Sequence, residues 1–190
     1  MKMVVFPLST VLFPGARIQL KIFEQRYLNL VKECLKKDAE FVVVLISKGQ
    51  ETGVVPEVFS VGTCARIVDW DQLEGGILGV TVEGGDRVEI GAISGAMGEL
   101  LWADIQVLED IDQPLLPVDS ELAGLLKKLE QHPLVKAQDM RIDYDNQTSV
   151  VWRLAHLLPI EAMQKQHLLE LDDGQQRYNA IRSLLADLEG

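Results

Sequence analysis

Arg17-Ile18-Gln19-Leu20-Lys21-Ile22 alternates strictly, and the residues after it change period. The alternation places Ile18, Leu20 and Ile22 on one side of a strand and Arg17, Gln19 and Lys21 on the other. Phe23, Tyr27, Leu30, Val31, Cys34 and Leu35 then follow at the spacing of one helical stripe, separated by polar residues. A strand handing over to a single amphipathic helix is the unit from which the rest of the chain is read.

Strand signals dominate outward from that unit to about Glu109. Val4, Val5 and Phe6 open the chain with a short apolar run, and Phe41-Val42-Val43-Val44-Leu45-Ile46 is a continuous one, as expected of a strand covered on both faces. Val61 to Val68 reads as a strand, Asp69 to Gly76 as a turn, and Ile77 to Val82 as the returning strand. Glu83-Gly84-Gly85-Asp86 reads as a tight hairpin into Arg87-Val88-Glu89-Ile90, because paired glycines accept positive φ. Gly91 to Gly98 is a loop, and Leu100 to Leu108, with Trp102 inside it, is the last strand.

The period becomes helical beyond Asp110. Gln113-Pro114-Leu115-Leu116-Pro117 reads as an extended linker. Leu122, Leu125, Leu126 and Leu129 form one stripe ending near His132-Pro133. Thr148 is read as the cap of a helix carrying Val151, Leu154, Leu157 and Leu158, and Ile160 as the start of another. Asp172 or Asp173 caps the last helix, which carries Tyr178, Ile181, Leu184, Leu185 and Leu188. The expected fold class is therefore α+β. A curled, mostly antiparallel sheet or small barrel with one helix occupies residues 1–112, and a helical bundle occupies residues 113–190.

Composition narrows the function. The chain has 190 residues, 47% hydrophobic and 25% charged, with 29 Asp and Glu against 18 Lys and Arg, for a formal charge of −11. Nucleic-acid grooves draw affinity from clustered cations, so nucleic acid is not the expected partner. Pro7, Ser9, Thr10 and Pro14 interrupt the apolar start too early for a signal peptide. No run approaches the roughly 18 apolar residues that span a bilayer. A cytoplasmic protein without a membrane partner is expected, with Cys34 and Cys64 as buried free thiols. No phosphate-binding loop, nucleophile elbow or zinc spacing occurs, and His132, His156 and His167 are scattered. No catalytic residue, metal site or cofactor is therefore assigned.

Phe6-Pro7-Leu8-Ser9-Thr10-Val11-Leu12-Phe13-Pro14-Gly15, followed by the alternating strand and Phe23-Glu24-Gln25-Arg26-Tyr27, resembles the opening of the substrate-binding domain of Lon proteases. Val61-Gly62-Thr63-Cys64-Ala65-Arg66-Ile67, then Val82 to Ile90, then Leu158-Pro159, Gln166 to Glu170 and Arg177 continue the resemblance in order. It covers nearly the whole chain. Gln25 departs from the proline often found there in stand-alone relatives. The resemblance implies a PUA-like β-domain followed by helices, and recognition of unfolded polypeptide or a protein partner. It implies no catalysis, since neither the ATPase nor the peptidase motifs of full-length Lon are present. Weak self-association is compatible with it.

Exposed apolar surface would carry such recognition, and Phe13, Pro14, Phe59 and Trp70 are the candidates. An open strand edge could also take up an extended peptide. Glu24, Arg26 and Arg87 match the family's polar positions and are read as pairing at the barrel–helix seam, with ligand gripping as the alternative. Two other functional readings stand beside these: an RNA-binding PUA-like module, and an uncharacterised enzyme or small-molecule binder.

Overall fold

A computed structural model describes residues 1–52, 54–110 and 117–189. The fold is α+β and divides into two compact units, Met1–Leu108 and Glu109–Gly190. The proposed boundary between residues 112 and 113, and most of the proposed linker, lie outside the described residues.

The first unit contains β1 (Lys2–Leu8), β2 (Arg17–Ile22), α1 (Gln25–Lys37), β3 (Phe41–Lys48), β4 (Glu57–Gln72), β5 (Leu78–Ile90) and β6 (Leu101–Val107). The strands lie in the order β2-β5-β4-β3-β1-β6, and β5 also pairs with β6, so five of them close into a ring with β2 added outside it. All pairings are antiparallel except β1 with β3. Alternate residues fill the ring interior: Met3 and Val5, Val42 and Val44, Cys64, Val88 and Ile90, and Leu101, Ala103 and Ile105. The opposite face of β1 and β3 is also buried, with Phe6 stacked on Tyr27 of α1 at 4.0 Å and 5.8 Å from Phe41. Burial on both faces explains why Phe41 to Ile46 lacks alternation.

In the first unit the structure departs from three expectations of the sequence. Glu83-Gly84-Gly85-Asp86 is not a turn; it lies inside β5, a single strand of 13 residues. Gly84 is needed for closeness, since a Cβ there would lie 2.2 Å from the Phe13 carbonyl oxygen. Its N–H donates to Ala16 O and its carbonyl accepts from Gly15 N–H. Residues Asp69 to Gln72 are also strand, extending β4 to 16 residues, and the turn is confined to a 3-10 segment at Glu74–Gly76. Phe23 lies ahead of α1 rather than on its buried stripe and is 60% exposed; Leu35 is exposed as well.

The second unit holds α2 (Ser120–Leu129), α3 (Pro133–Lys136), α4 (Gln147–Leu157), α5 (Ala162–Glu170) and α6 (Gly174–Glu189). Asn146, not Thr148, caps α4 by accepting from Ser149 N–H, while Asp173 accepts from Gln175 N–H at the start of α6. Arg177 is buried at 1% exposure over the Trp152 ring, donates twice to Asp110 and once to the Leu171 carbonyl, and ties the start of this unit to its last helix. Leu122, Leu126, Leu154, Leu168 and Ile181 supply its apolar interior.

Candidate functional site

The site is built on β2, the strand outside the ring. Among the described residues β2 pairs only with β5, in the register Ile18–Val82, Leu20–Val80 and Ile22–Leu78. Hydrogen-bonded pairs alternate along an antiparallel ladder, and the bond from Gly84 N–H to Ala16 O fixes the phase. The bonded residues of β2 are therefore Ile18, Leu20 and Ile22, and the main-chain groups of Gln19 and Lys21 turn away from β5. Among the described residues no strand pairs with that outer edge.

A hollow of about 310 Å³ opens beside this edge. Leu20 and Ile22 of β2, Phe6 and Leu8 of β1 and Tyr27 of α1 supply its apolar lining. β6 pairs with β1 only at residues Lys2 to Val5, so Phe6, Pro7 and Leu8 lie past the end of that ladder. Pro7, which has no N–H, sits where none is required. Phe23, Glu24, Thr10, Glu51 and Thr52 form the rim, together with Gln19 and Lys21. Glu51 is held there by accepting from the Ser9 N–H at 2.7 Å and from the Ser9 hydroxyl. Burial raises the Tyr27 phenol above its ordinary pKa, so the hollow meets a neutral ring at physiological pH.

A second open edge lies on β4. β3 pairs with β4 only as far as Ala65, leaving Arg66 to Gln72 with β5 as their one strand neighbour among the described residues. Cross-strand register aligns Trp70 with Val80 and Leu20, so these three share one sheet face. Trp70 is 55% exposed at the margin of that face. Because Val80 bonds toward β2, the N–H of Trp70 turns away from β5, and it donates to its neighbour Asp69 at 2.9 Å. Gln72 N–H likewise donates to Asp71 at 2.8 Å.

The other candidates fall elsewhere. Phe13 is fully buried and offers no surface; Pro14 beside it is half-buried. The opening loop is drawn inward by Thr63, whose buried hydroxyl donates to Leu12 O at 2.6 Å. Phe59 is half-buried against the ring interior. Arg26 pairs with Glu24 at 3.0 Å, donates to Glu99 O at 2.9 Å and lies 4.5 Å over the Tyr27 ring. Arg87 is 3% exposed on β5, opposite Thr63. Glu24 thus reaches the rim of the hollow, Arg26 stands behind it, and Arg87 lies in the barrel wall.

Sequence reasoning missed Phe23 and Glu51. Carrying the β2 alternation one residue further would have put Phe23 on the outer face, opposite Ile22. No local signal marks Glu51, whose role depends on Ser9, 42 residues away.

Among the described residues, no group of three His, Cys, Asp or Glu side chains could hold a metal ion, and no helix is long and apolar enough to cross a membrane.

The family model described as the ATP-dependent protease La (LON) substrate-binding domain matches residues 2–187. A Lon N-terminal domain protein from Xanthomonas campestris has the same fold, with a TM-score of 0.75 and 34% identity over 98% of both chains. The N-terminal domain of a Mycobacterium avium complex Lon protease aligns with a TM-score of 0.67 at 17% identity, covering 98% of this chain and 99% of that one. Lon protease of Cytophaga hutchinsonii is 29% identical over 191 residues, which is 93% of this chain and 23% of that protein. Lon protease 1 of Hydrogenovibrio crunogenus is 30% identical over 124 residues, 65% of this chain and 15% of that protein. The chain thus spans less than a quarter of the length of these two relatives.

Proposed function

This chain belongs to the ATP-dependent protease La (LON) substrate-binding domain family, and from that premise we propose that it captures extended segments of unfolded polypeptide without cutting them. The observation that carries this reading is the unpaired outer edge of β2 beside an apolar hollow. An added strand would bond to the main chain at Gln19 and Lys21 whatever its sequence, and every second side chain could enter between Phe6, Leu20 and Tyr27. Phe23 at the rim supplies a rigid apolar contact at low entropic cost. Folded proteins hide both their amides and their apolar side chains, so the edge would select chains that have lost structure.

On this reading the partner is protein, and neither a cofactor nor nucleic acid is involved. A formal charge of −11 opposes the approach of a polyanion. The work is done in the cytoplasm, and any self-association is weak.

Titration with a fluorescently labelled, reduced and alkylated protein that cannot fold tests the proposal. Binding with a dissociation constant on the order of 10 μM is expected, with none to the same protein in its folded state. Equal binding of the folded and unfolded forms, or no binding of either, would overturn it.

A further inference from the structure

We propose that the outer edge of β4 from Arg66 to Gln72 is a second strand-addition site, selective for extended segments bearing lysine or arginine. The inference takes protein recognition as its premise and adds the chemistry of the segment chosen. Unlike the edge of β2, this one is closed by its own side chains: the outward amides of Trp70 and Gln72 are each held by the carboxylate of the preceding residue. An acidic strand would bring like charge against the exposed carboxylates of Asp69 and Asp71, and a neutral one would displace them from the amides without giving them a new partner. A cationic strand gives each carboxylate a new partner as its own carbonyls take over the amides.

Charge and apolar surface both point to the same occupant. Arg66, at the start of this edge, is paired with Asp38 at 3.0 Å, and no lysine or arginine occurs between Ile67 and Val82, where Asp69, Asp71 and Glu74 are the charged residues. Val68 and Trp70 are 41% and 55% exposed on this stretch and offer contact to the apolar residues of an alternating basic–apolar segment. The same carboxylates discourage pairing with a second copy of this acidic chain, which keeps an otherwise bare edge from self-associating.

The test uses the full chain and three short labelled peptides that share their apolar positions and carry lysine, glutamine or glutamate between them. The lysine peptide should bind about tenfold more tightly than the glutamine peptide at low salt, and the ratio should shrink as salt is added. In the double variant Asp69→Asn/Asp71→Asn, which keeps an oxygen for each amide but removes the charge, that ratio should fall to about one. Phe23→Ser should weaken the glutamine peptide and leave the lysine peptide bound, because the basic segment still has the β4 edge. Equal binding of lysine and glutamine peptides to the unaltered chain, or a preference that survives in the double variant, would overturn the inference while leaving capture at β2 intact. Failure of all three peptides to bind would remove both.

Discussion

The Thr63 hydroxyl donates to the carbonyl of Leu12 at 2.6 Å, with both groups buried and 51 residues apart in sequence. This bond holds the loop between β1 and β2 against the barrel wall and so sets where β2 begins. Replacing Thr63 with Val keeps the shape and leaves the Leu12 oxygen without its donor, at a cost of about 1–3 kcal/mol. Urea unfolding should show that loss for Thr63→Val and much less for Thr63→Ser, which retains the hydroxyl. Equal stability of all three proteins would contradict the role assigned to the bond.

Gly84 offers a steric counterpart. A methyl group there has no room beside the Phe13 carbonyl, and the obstacle is backbone rather than a movable side chain. Gly84→Ala should destabilise the first unit by about 1–3 kcal/mol, whereas Gly75→Ala, in open space at φ 73°, should cost about 1 kcal/mol from backbone strain alone. A smaller loss at Gly84 than at Gly75, read from thermal unfolding, would argue that the loop can move away.

These two positions also show how far the sequence could be read. Alternation in β2, helical spacing in α1 and the unbroken run in β3 are local properties, and each is visible without knowing its partner. Gly84-Gly85 misleads because a glycine pair suits both a positive-φ turn and a close backbone approach; only Phe13, brought in by the fold, separates the two. Asp69 and Asp71 mislead similarly. Aspartate is poor in strand interiors, yet here each satisfies an amide on an open edge. Phe13 is expected at the surface as a recognition candidate, and nothing local announces that Thr63 draws its loop inward. An open strand edge follows from the sequence only as a general possibility, with no strand singled out. Its location depends on strand order, which alternation does not encode.

His156 gives the second unit a dependence on pH. Burial, followed by the charges of Lys165 and Arg153, lowers its pKa to about 4. The unfolded imidazole titrates near 6.5, so between those values the unfolded chain holds more protons than the folded one. Stability from this group is complete above about pH 6.5 and is lost as pH falls toward 4, by on the order of 3 kcal/mol in total. Denaturant unfolding across that range should show a shallower decline for His156→Gln than for the unaltered chain. Parallel declines would contradict the assignment.

Cys34 and Cys64 are both buried and free. Burial raises both thiols, Cys64 to about 11, so neither supplies appreciable thiolate near neutrality. Iodoacetamide should modify the native protein slowly and the urea-unfolded protein fully, as counted by intact mass. Rapid labelling of both thiols under native conditions would contradict their burial.

Capture at β2 is tested most directly by amide hydrogen exchange measured residue by residue, with and without a saturating unfolded polypeptide. Strand addition places the outward amides of Gln19 and Lys21 in new hydrogen bonds, so their exchange should slow by about tenfold or more, while Leu20, already bonded to Val80, changes little. Binding that leaves Gln19 and Lys21 exchanging at their unbound rates would mean that the chain docks elsewhere, and the account of this edge would be wrong.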